Sequence, residues 1–138
     1  MRGFTSWLMS TSWTEPPAVT VLYRPVGRHE LALIAATNYK AFPPRLPEQP
    51  IFYPVLSERY AREIACQWNT RDERSGFVGY VTRFSVMTAF VRSYTVHVVG
   101  ASEHREYWIP ASDLERFNAA IVGKVEVIAE FHGERASA

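Results

Sequence analysis

The sequence predicts an α+β domain of mostly antiparallel strands, and three observations favour that class. Runs of alternating or β-branched residues recur along the chain, segments with helical apolar spacing lie between them, and prolines or polar turns separate the two kinds. The length of 138 residues suits one domain. We expect this domain to span 19–133, with a loosely ordered extension over 1–18 and a tail over 134–138.

About six strands are expected from composition and alternation. The first, 19–24, is β-branched and apolar, and we expect a central strand that stops at Pro25, because proline cannot donate a hydrogen bond to a neighbouring strand. Four prolines within 41–50 predict an extended loop, since proline also restricts the residue before it. The remaining predicted strands are 51–55, 77–87, 95–99, 105–109 and 124–131, with a polar turn over 69–76 and a short helical turn over 88–94.

Three helices are expected from apolar spacing and capping residues. The first covers 30–36, and the second follows Ser57, which is a favourable N-cap. The third begins with the capping-box spacing of Ser112 and Glu115 and ends at Gly123. The aromatic side chains whose periodicity points inward, and which we assign to the core, are Trp68, Tyr80, Phe84, Trp108 and Phe117.

The composition argues against several classes of function. A formal net charge of +1 does not favour sequence-independent DNA binding, which needs many Lys and Arg side chains on one face. No apolar run approaches the roughly 20 residues that span a bilayer, so no membrane partner is expected. The single cysteine, Cys66, excludes an intrachain disulfide and favours a cytoplasmic protein. The four His residues lack paired metal-ligand spacing, so we expect no metal site.

The order of these elements resembles the ADP-ribosyltransferase fold, and three local matches carry the resemblance. A strand that ends on Tyr23 and Arg24 is similar to the opening strand of that family with its Arg. A short aromatic strand then leads into a helix at Ser57, where the family has a Ser/Thr-rich motif. The strand that bears Glu106, followed by a helix and Ile121-Val-Gly, is similar to the region of the catalytic Glu.

The stretch 19–133 also resembles a set of small, uncharacterised bacterial proteins that carry the label "ADP-ribosylation/crystallin". The shared strings are YRPVG, FPPRLP, IFYPVL, GYVTRF and EYWIPA. A crystallin-related ADP-ribosylglycohydrolase is a much longer, all-helical protein with acidic metal ligands, and this strand-rich chain differs from it. The resemblance therefore implies the transferase type of fold, with NAD as the substrate.

The resemblance also implies roles for individual residues. Arg24, next to Tyr23, would hold the phosphates or the ribose of NAD, because its planar fork suits phosphate. Glu106 would stabilise the positive charge that develops when the bond between nicotinamide and ribose breaks. Tyr53 replaces the family's Ser, and would orient the ribose or stack on nicotinamide.

Two further residues are expected near the ligand. Arg45, in the proline-rich loop, can reach an anion. His104 lies two residues before Glu106, where members that modify proteins have an acceptor-selecting Gln or Glu. Glu103 is an out-of-register alternative for that position.

The sequence thus predicts an NAD-dependent ADP-ribosyltransferase acting on a protein, or an NAD glycohydrolase if water is the acceptor. The alternative is a catalytically degenerate member that binds a nucleotide or a protein. Both require Arg24 and Glu106 to line one cleft, with an aromatic wall near Glu106. Each candidate residue also has an interpretation without a functional role. Arg24 would then form a surface ion pair and Glu106 would be a solvated carboxylate, whereas Tyr53 would be a packed ring and Arg45 a solvated charge. A purely structural protein, with Trp7 and Trp13 as a contact surface, is a third hypothesis.

Overall fold

Strands and helices alternate irregularly along residues 15–135, which are the residues that the computed structural model describes. They form a mixed α+β domain with antiparallel strand pairs, as predicted, and seven strands and four helices occur in the described part of the chain. In chain order the elements are β1 (Val19–Val26), α1 (Arg28–Ala36), β2 (Ile51–Phe52), α2 (Glu58–Gln67), β3 (Val78–Met87), α3 (Thr88–Val91), β4 (Val96–Val98), β5 (Arg105–Tyr107), β6 (Ile109–Pro110), α4 (Leu114–Ala119) and β7 (Ile121–His132).

The main sheet has the strand order β1–β3–β7, so β3 occupies the central position that the sequence suggested for β1. All pairs are antiparallel, with Leu22 opposite Phe84 and Val81 opposite Ala129. Because side chains alternate across a strand, Phe84 and Val81 point to opposite faces of the sheet. Both faces are therefore covered, one by an aromatic core and the other by α2.

The aromatic core lies between the sheet and the segments that contain β2, β6 and α4. Phe42, Phe52, Phe84 and Phe117 form its centre, with ring centroids 4.8–6.1 Å apart in tilted and edge-to-face arrangements. Such aromatic pairs add about 0.5–1.5 kcal/mol each beyond the area that they bury. The proline-rich loop contains neither helix nor strand, as predicted. Its Phe42 is buried in this cluster, and this contact holds the loop against the core.

Val55 connects the main sheet to a second strand pair. Its N–H donates to Tyr23 O at 2.8 Å and its carbonyl accepts from Tyr23 N–H at 2.9 Å. On its other side Val55 is bridged to Glu106 of β5, which pairs in turn with β4. Residues directly opposite each other share a face, so Tyr23, Val55 and Glu106 all face α2.

β1 continues through Pro25 to Val26, so the prediction that Pro25 ends this strand is wrong. Tyr23 directs its backbone groups away from β3 towards Val55, and Pro25, two residues later, faces the same side. The missing N–H of Pro25 therefore falls on the open edge of β1 and removes no hydrogen bond to β3. The strand expected over 51–55 is shorter, with β2 at 51–52 and an isolated bridge at Val55.

The prediction for the end of the third helix is also wrong. This helix, α4, ends at Ala119, and Gly123 lies inside β7 with a φ of 82°. The register of β7 against β3 shifts at this point, which identifies an irregularity of the bulge type that glycine accommodates without strain. The predicted capping box is absent, because α4 follows a 3₁₀ turn and has no side-chain cap.

The second helix begins as predicted, with the Ser57 side chain accepting from Tyr60 N–H. Phe84 and Phe117 are buried, as expected, and Tyr80 is half-buried against the core. The core assignment is wrong for Trp68 and Trp108, which are 59% and 41% exposed. Both lie at the ends of elements, where neighbouring side chains cover only part of the indole.

The predicted extension over 1–18 and the tail fall largely on residues 1–14 and 136–138, so Trp7 and Trp13 lie outside the described residues. Residues 15–18 form neither helix nor strand. Within residues 15–135, no helix combines the length and apolar character that crossing a bilayer requires.

We predict that Gly79→Ala destabilises the fold. A Cβ at this position of β3 would lie 2.4 Å from the carbonyl oxygen of Ala65 in α2, so the helix has to move away from the sheet. Overpacking of this kind lowers the free energy of unfolding by about 1–3 kcal/mol. Chemical denaturation measures the change, and Ser85→Ala on the same strand is a control expected to stay within about 0.5 kcal/mol. Equal stability of the Gly79 variant and wild type would contradict the close approach of α2.

Candidate functional site

A cavity of about 650 Å³ opens beside β1, between α2 and the proline-rich loop. Arg24, Arg45, Tyr53 and Glu106 all line it. Its volume falls within the range of about 300–1,000 Å³ that is typical of small-molecule sites. The pairing of β1 with Val55 covers only one residue of that edge, and the open remainder of the edge forms one wall.

Glu106 is a buried carboxylate, 8% exposed, held by two neutral donors. Its Oε2 accepts from the Tyr60 hydroxyl at 2.8 Å, and its Oε1 accepts from the Trp108 indole N–H at 2.8 Å. Within the described residues, no Lys, Arg or His forms an ion pair with it. The negative charge of Glu106 is therefore oriented by hydrogen bonds but not neutralised, which is the arrangement suited to a developing positive charge.

Tyr60 supplies its hydroxyl from the first turn of α2. Burial, and then the hydrogen bond to Glu106, raise the pKa of Tyr60 to about 12. The phenol consequently keeps its proton well above neutral pH and stays a donor to the carboxylate.

Arg24 is paired with a carboxylate of the protein itself. Its Nε donates to Glu30 Oε2 at 2.8 Å and its Nη2 donates to Glu30 Oε1 at 3.0 Å, a bidentate pair between β1 and α1. Its Nη1 reaches the Tyr53 carbonyl at 3.4 Å, and the guanidinium lies 4.6 Å above the Phe52 ring. Arg24 thus joins three segments of the cavity wall, and its fork is occupied by a carboxylate.

Arg45, unlike Arg24, has no ion-pair partner among the described residues. It is half-buried, its Nε is buried with no hydrogen-bond partner, and no carboxylate of the described residues pairs with it. Burial, and then the nearby positive charge of Arg24, lower the pKa of Arg45 from its usual value. The nearby Glu30 opposes this lowering, but its ion pair is with Arg24, so Arg45 is a half-buried cation without an ion-pair partner in the described chain, and an anion at this end of the cavity would be favourable.

An aromatic wall stands next to Glu106. Tyr53 lines the cavity, and its ring meets Trp108 edge-on with centroids 6.2 Å apart. Trp108 in turn stacks on His97 of β4 at 3.7 Å. The position of Trp108 is therefore fixed by His97 on one side and by its hydrogen bond to Glu106 on the other.

Tyr23 and His104, also expected at the ligand, do not line the cavity. The Tyr23 ring packs with the cluster under α2. His104 Nε2 lies 2.7 Å from Glu63 Oε1, and its ring stacks on Tyr60 with centroids 4.4 Å apart. His104 thus borders Glu106 through Tyr60 rather than facing a ligand.

Sequence reasoning missed Tyr60, Trp108 and Glu30. Trp108 follows Glu106 by two residues in an extended segment, and this period places both on one side, so alternation was an available signal. For Tyr60, nothing in the sequence shows that its hydroxyl meets a carboxylate 46 residues away. Glu30 lies six residues after Arg24, and only the turn between β1 and α1 brings the two together.

The chain matches no protein-family model, no curated protein and no solved structure. The resemblance to ADP-ribosyltransferases therefore stays a prediction. Among residues 15–135, no group of three or more His, Cys, Asp or Glu side chains is arranged to hold a metal ion.

We predict that stability declines in alkali through Tyr60. Because the folded-state pKa of Tyr60 is raised from 10.0 to about 12, its contribution is fully present below pH 10 and is lost as pH rises through about 12. The free energy of unfolding, measured by urea denaturation against pH, should fall in this interval for wild type and fall less for Tyr60→Phe.

Tyr94 provides a matched control, since burial and its hydrogen bond to Asp113 also raise its pKa to about 12. Tyr94→Phe should remove only its own share of the decline, and the double variant should remove both. An unchanged pH profile in Tyr60→Phe would contradict the hydrogen bond to Glu106.

Proposed function

We propose that this domain binds NAD in the cavity and breaks the bond between nicotinamide and ribose, as an ADP-ribosyltransferase-like enzyme. The observation that carries the proposal is that Arg24, Arg45, Tyr53 and Glu106 line one cavity. Sequence resemblance favours NAD as the ligand, and the volume of about 650 Å³ is adequate for a nucleotide of this size class.

The charges of the cavity support this choice of ligand. Arg45 is a cation without an anionic partner, and Glu106 is an anion without a cationic one, among the described residues. NAD carries an anionic pyrophosphate and a cationic nicotinamide ring. Pyrophosphate near Arg45 and the nicotinamide riboside near Glu106 would balance both charges, with Tyr53 covering the ring.

Arg24 has a different role from the one that the resemblance implied. Glu30 occupies its fork in a bidentate pair, so Arg24 positions the cavity wall and Arg45 takes the phosphate-binding role. Replacement of Glu30 by phosphate would leave a half-buried carboxylate without its partner and beside an anion, which is unfavourable.

Glu106 would act by electrostatic stabilisation. As the carbon–nitrogen bond breaks, the electron pair leaves with nicotinamide and the ribose becomes an oxocarbenium-like cation. A carboxylate has about four lone-pair sites, so each oxygen of Glu106 can accept from a ribose hydroxyl while it still accepts from Tyr60 or Trp108. The two protein donors hold the carboxylate in one orientation, which preorganises it for the cation.

Water is the acceptor that the site favours. Addition of water to the ribose cation forms the new carbon–oxygen bond and releases one proton to solvent, giving nicotinamide and ADP-ribose. The acceptor-selecting position of protein-modifying members corresponds to His104, which is bound to Glu63 and turned away from the cavity. NAD glycohydrolysis is therefore preferred over transfer to a protein.

A non-catalytic nucleotide-binding module is the second candidate. It is favoured by the hydrogen bonds that both Glu106 oxygens already accept from the protein, together with the replacement of the family's Ser by Tyr53. In that case NAD and ADP-ribose would bind without being consumed.

We predict that Glu106→Gln folds and loses NAD cleavage by about 10²–10³-fold, because the amide keeps the shape but not the charge. The amide oxygen can accept from Trp108 and the amide N–H can donate to the Tyr60 hydroxyl, so the hydrogen bonds survive. Nicotinamide release, measured by chromatography at saturating NAD, reports the change.

Glu103→Gln is the matched control, since Glu103 is an exposed carboxylate on the preceding turn. It should cleave NAD at the wild-type rate. If wild type binds NAD without releasing nicotinamide, the non-catalytic module is the correct alternative. If wild type does not bind NAD at all, the proposal fails.

We predict that Arg45→Gln weakens NAD binding by about tenfold or more, because a charge-assisted bond to phosphate is lost. The measurement is titration calorimetry at fixed ionic strength. Arg83→Gln is the control, since Arg83 pairs with Glu126 on the exposed sheet and does not line the cavity. Equal weakening by both variants would indicate a general charge effect rather than a phosphate site.

A further inference from the structure

The main sheet is covered on its α2 face over only part of its length. At one end of that face, Tyr23, Val81 and Ala129 from the three strands pack in the cluster under α2. The face continues beyond α2, at even intervals along β1 and β3 from Tyr23 and Val81. The side chains of this second part, which we call the open half-face, are Val19, Val21, Ser85, Met87 and Val122.

The strand register places these five side chains together. Residues directly opposite each other on neighbouring strands share a face. Val19 lies opposite Met87, and Ser85 lies between Val21 of β1 and Val122 of β7. The open half-face is therefore one continuous surface across all three strands.

This surface is apolar and exposed. Val19, Val21 and Val122 are each 43% exposed and Met87 is 37% exposed, so the described residues leave them uncovered. Val81, on the part of the face under α2, is fully buried. A contiguous apolar surface on a folded domain marks a place where something else packs.

Residues 1–14 have the composition that such a surface requires. This segment lies outside the described residues. Arg2 is its one charged side chain. Beyond Met1 it has five large apolar side chains, namely Phe4, Trp7, Leu8, Met9 and Trp13. Because an aromatic side chain can bury about 150–250 Å², the two tryptophans supply a large share of the apolar surface.

The segment is joined directly to the open half-face. Residues 15–18 connect it to Val19, and Ala18 O accepts from Thr88 N–H at 3.0 Å, next to Met87. The open half-face spans two gaps between strands, about 10 Å. Fourteen residues measure about 21 Å as a helix and about 46–50 Å when extended, so they can cross it in either form. The short connection also makes the contact intramolecular, which raises the effective concentration to the millimolar range.

A second copy of the chain fits this surface less well. The exposed ion pair of Arg83 with Glu126 borders the open half-face on the side of α2. The five side chains beyond that border are far fewer than the roughly 20–30 residues that each partner contributes to a stable interface. A short apolar segment matches the size of the surface.

We propose that residues 1–14 pack on the open half-face and complete the cover of this side of the main sheet. Trp7 and Trp13 exclude water from Val21 and its neighbours, and burial of these apolar surfaces stabilises the domain. None of the five residues of the open half-face lines the cavity, so the inference does not depend on the proposed reaction.

Tryptophan emission of the full chain tests this contact, because an indole emits at shorter wavelength when water is excluded from it. Trp68 and Trp108, which are 59% and 41% exposed, contribute a background. Subtraction of the spectrum of a Trp7→Phe, Trp13→Phe double variant leaves the emission of Trp7 and Trp13. This difference spectrum should lie at shorter wavelength than in the urea-unfolded chain, and acrylamide should quench it less.

Val21→Asp should abolish the shift, because packing of the indoles there would bury an unpaired carboxylate. Val127→Asp is the matched control and should keep the shift. Val127 is 40% exposed and lies opposite Thr82, on the other face of the sheet. If circular dichroism shows that Val21→Asp does not fold, Val122→Ser and Val127→Ser replace the pair, and only Val122→Ser should reduce the shift.

Thermal unfolding gives a second readout. Trp7→Ala combined with Trp13→Ala should lower Tm by about 5 °C, because the buried indole surface is lost. In the Val21→Asp background the same two substitutions should change Tm much less, since the contact is already absent.

The emission outcomes decide between the possible occupants. A shift that Val21→Asp abolishes and Val127→Asp retains, at every protein concentration, supports the inference. Emission at the wavelength of the unfolded chain overturns it, because Trp7 and Trp13 are then in water. A shift that Val21→Asp leaves unchanged also overturns it, since the segment then packs elsewhere. A shift that grows with protein concentration, with a dimer in sedimentation, overturns it in favour of a second copy.

Discussion

The main-chain pairing of Val55 holds the candidate site together. This one residue exchanges two hydrogen bonds with Tyr23 of β1 and is bridged to Glu106 of β5 on its other side. Its neighbours strengthen the connection, since Pro54 O accepts from Tyr107 N–H at 2.9 Å and Leu56 N–H donates to Arg105 O at 3.0 Å. The strand pair β4–β5 is thereby placed in line with the main sheet, and the carboxylate on it is directed at α2.

The position of α2 then determines the environment of that carboxylate. Gly79 allows the backbone of Ala65 to approach β3 more closely than any side chain would permit. At this separation the Tyr60 hydroxyl reaches Glu106, and the indole of Trp108 reaches it from the residue that follows β5. Because both donors are neutral, the charge of the carboxylate is conserved while its orientation is fixed. The close packing of α2 on the sheet thus determines which groups donate hydrogen bonds to the Glu106 carboxylate in the cavity.

Sequence reasoning succeeded where the determinant is local. The Ser57 cap, the proline-rich loop and the mixed α+β class follow from residues that act within a few positions of one another. It failed where a contact between distant segments decides the outcome. Gly123 belongs to a bulge that only the register between β7 and β3 defines, and Trp68 is exposed because its helix ends at a cavity. In the candidate site, the sequence named four residues that line one cavity, namely Arg24, Arg45, Tyr53 and Glu106. Their hydrogen-bond and ion-pair partners were missed, because these partners lie far along the chain or across a turn.

Arg24 and Arg45 show how a partner residue changes the properties of an arginine in the site. Arg24 and Arg45 lie over the same Phe52 ring, at 4.6 and 5.9 Å, but Glu30 forms its ion pair with Arg24 alone. The aromatic face offsets part of the unfavourable burial of Arg45, which is why an unmatched cation is tolerated there. Folding has already removed much of the water around this guanidinium. An anion that enters the cavity would therefore be attracted by Arg45 without that side chain having to lose the same water a second time, and this is the advantage of a cation that folding leaves without an ion pair.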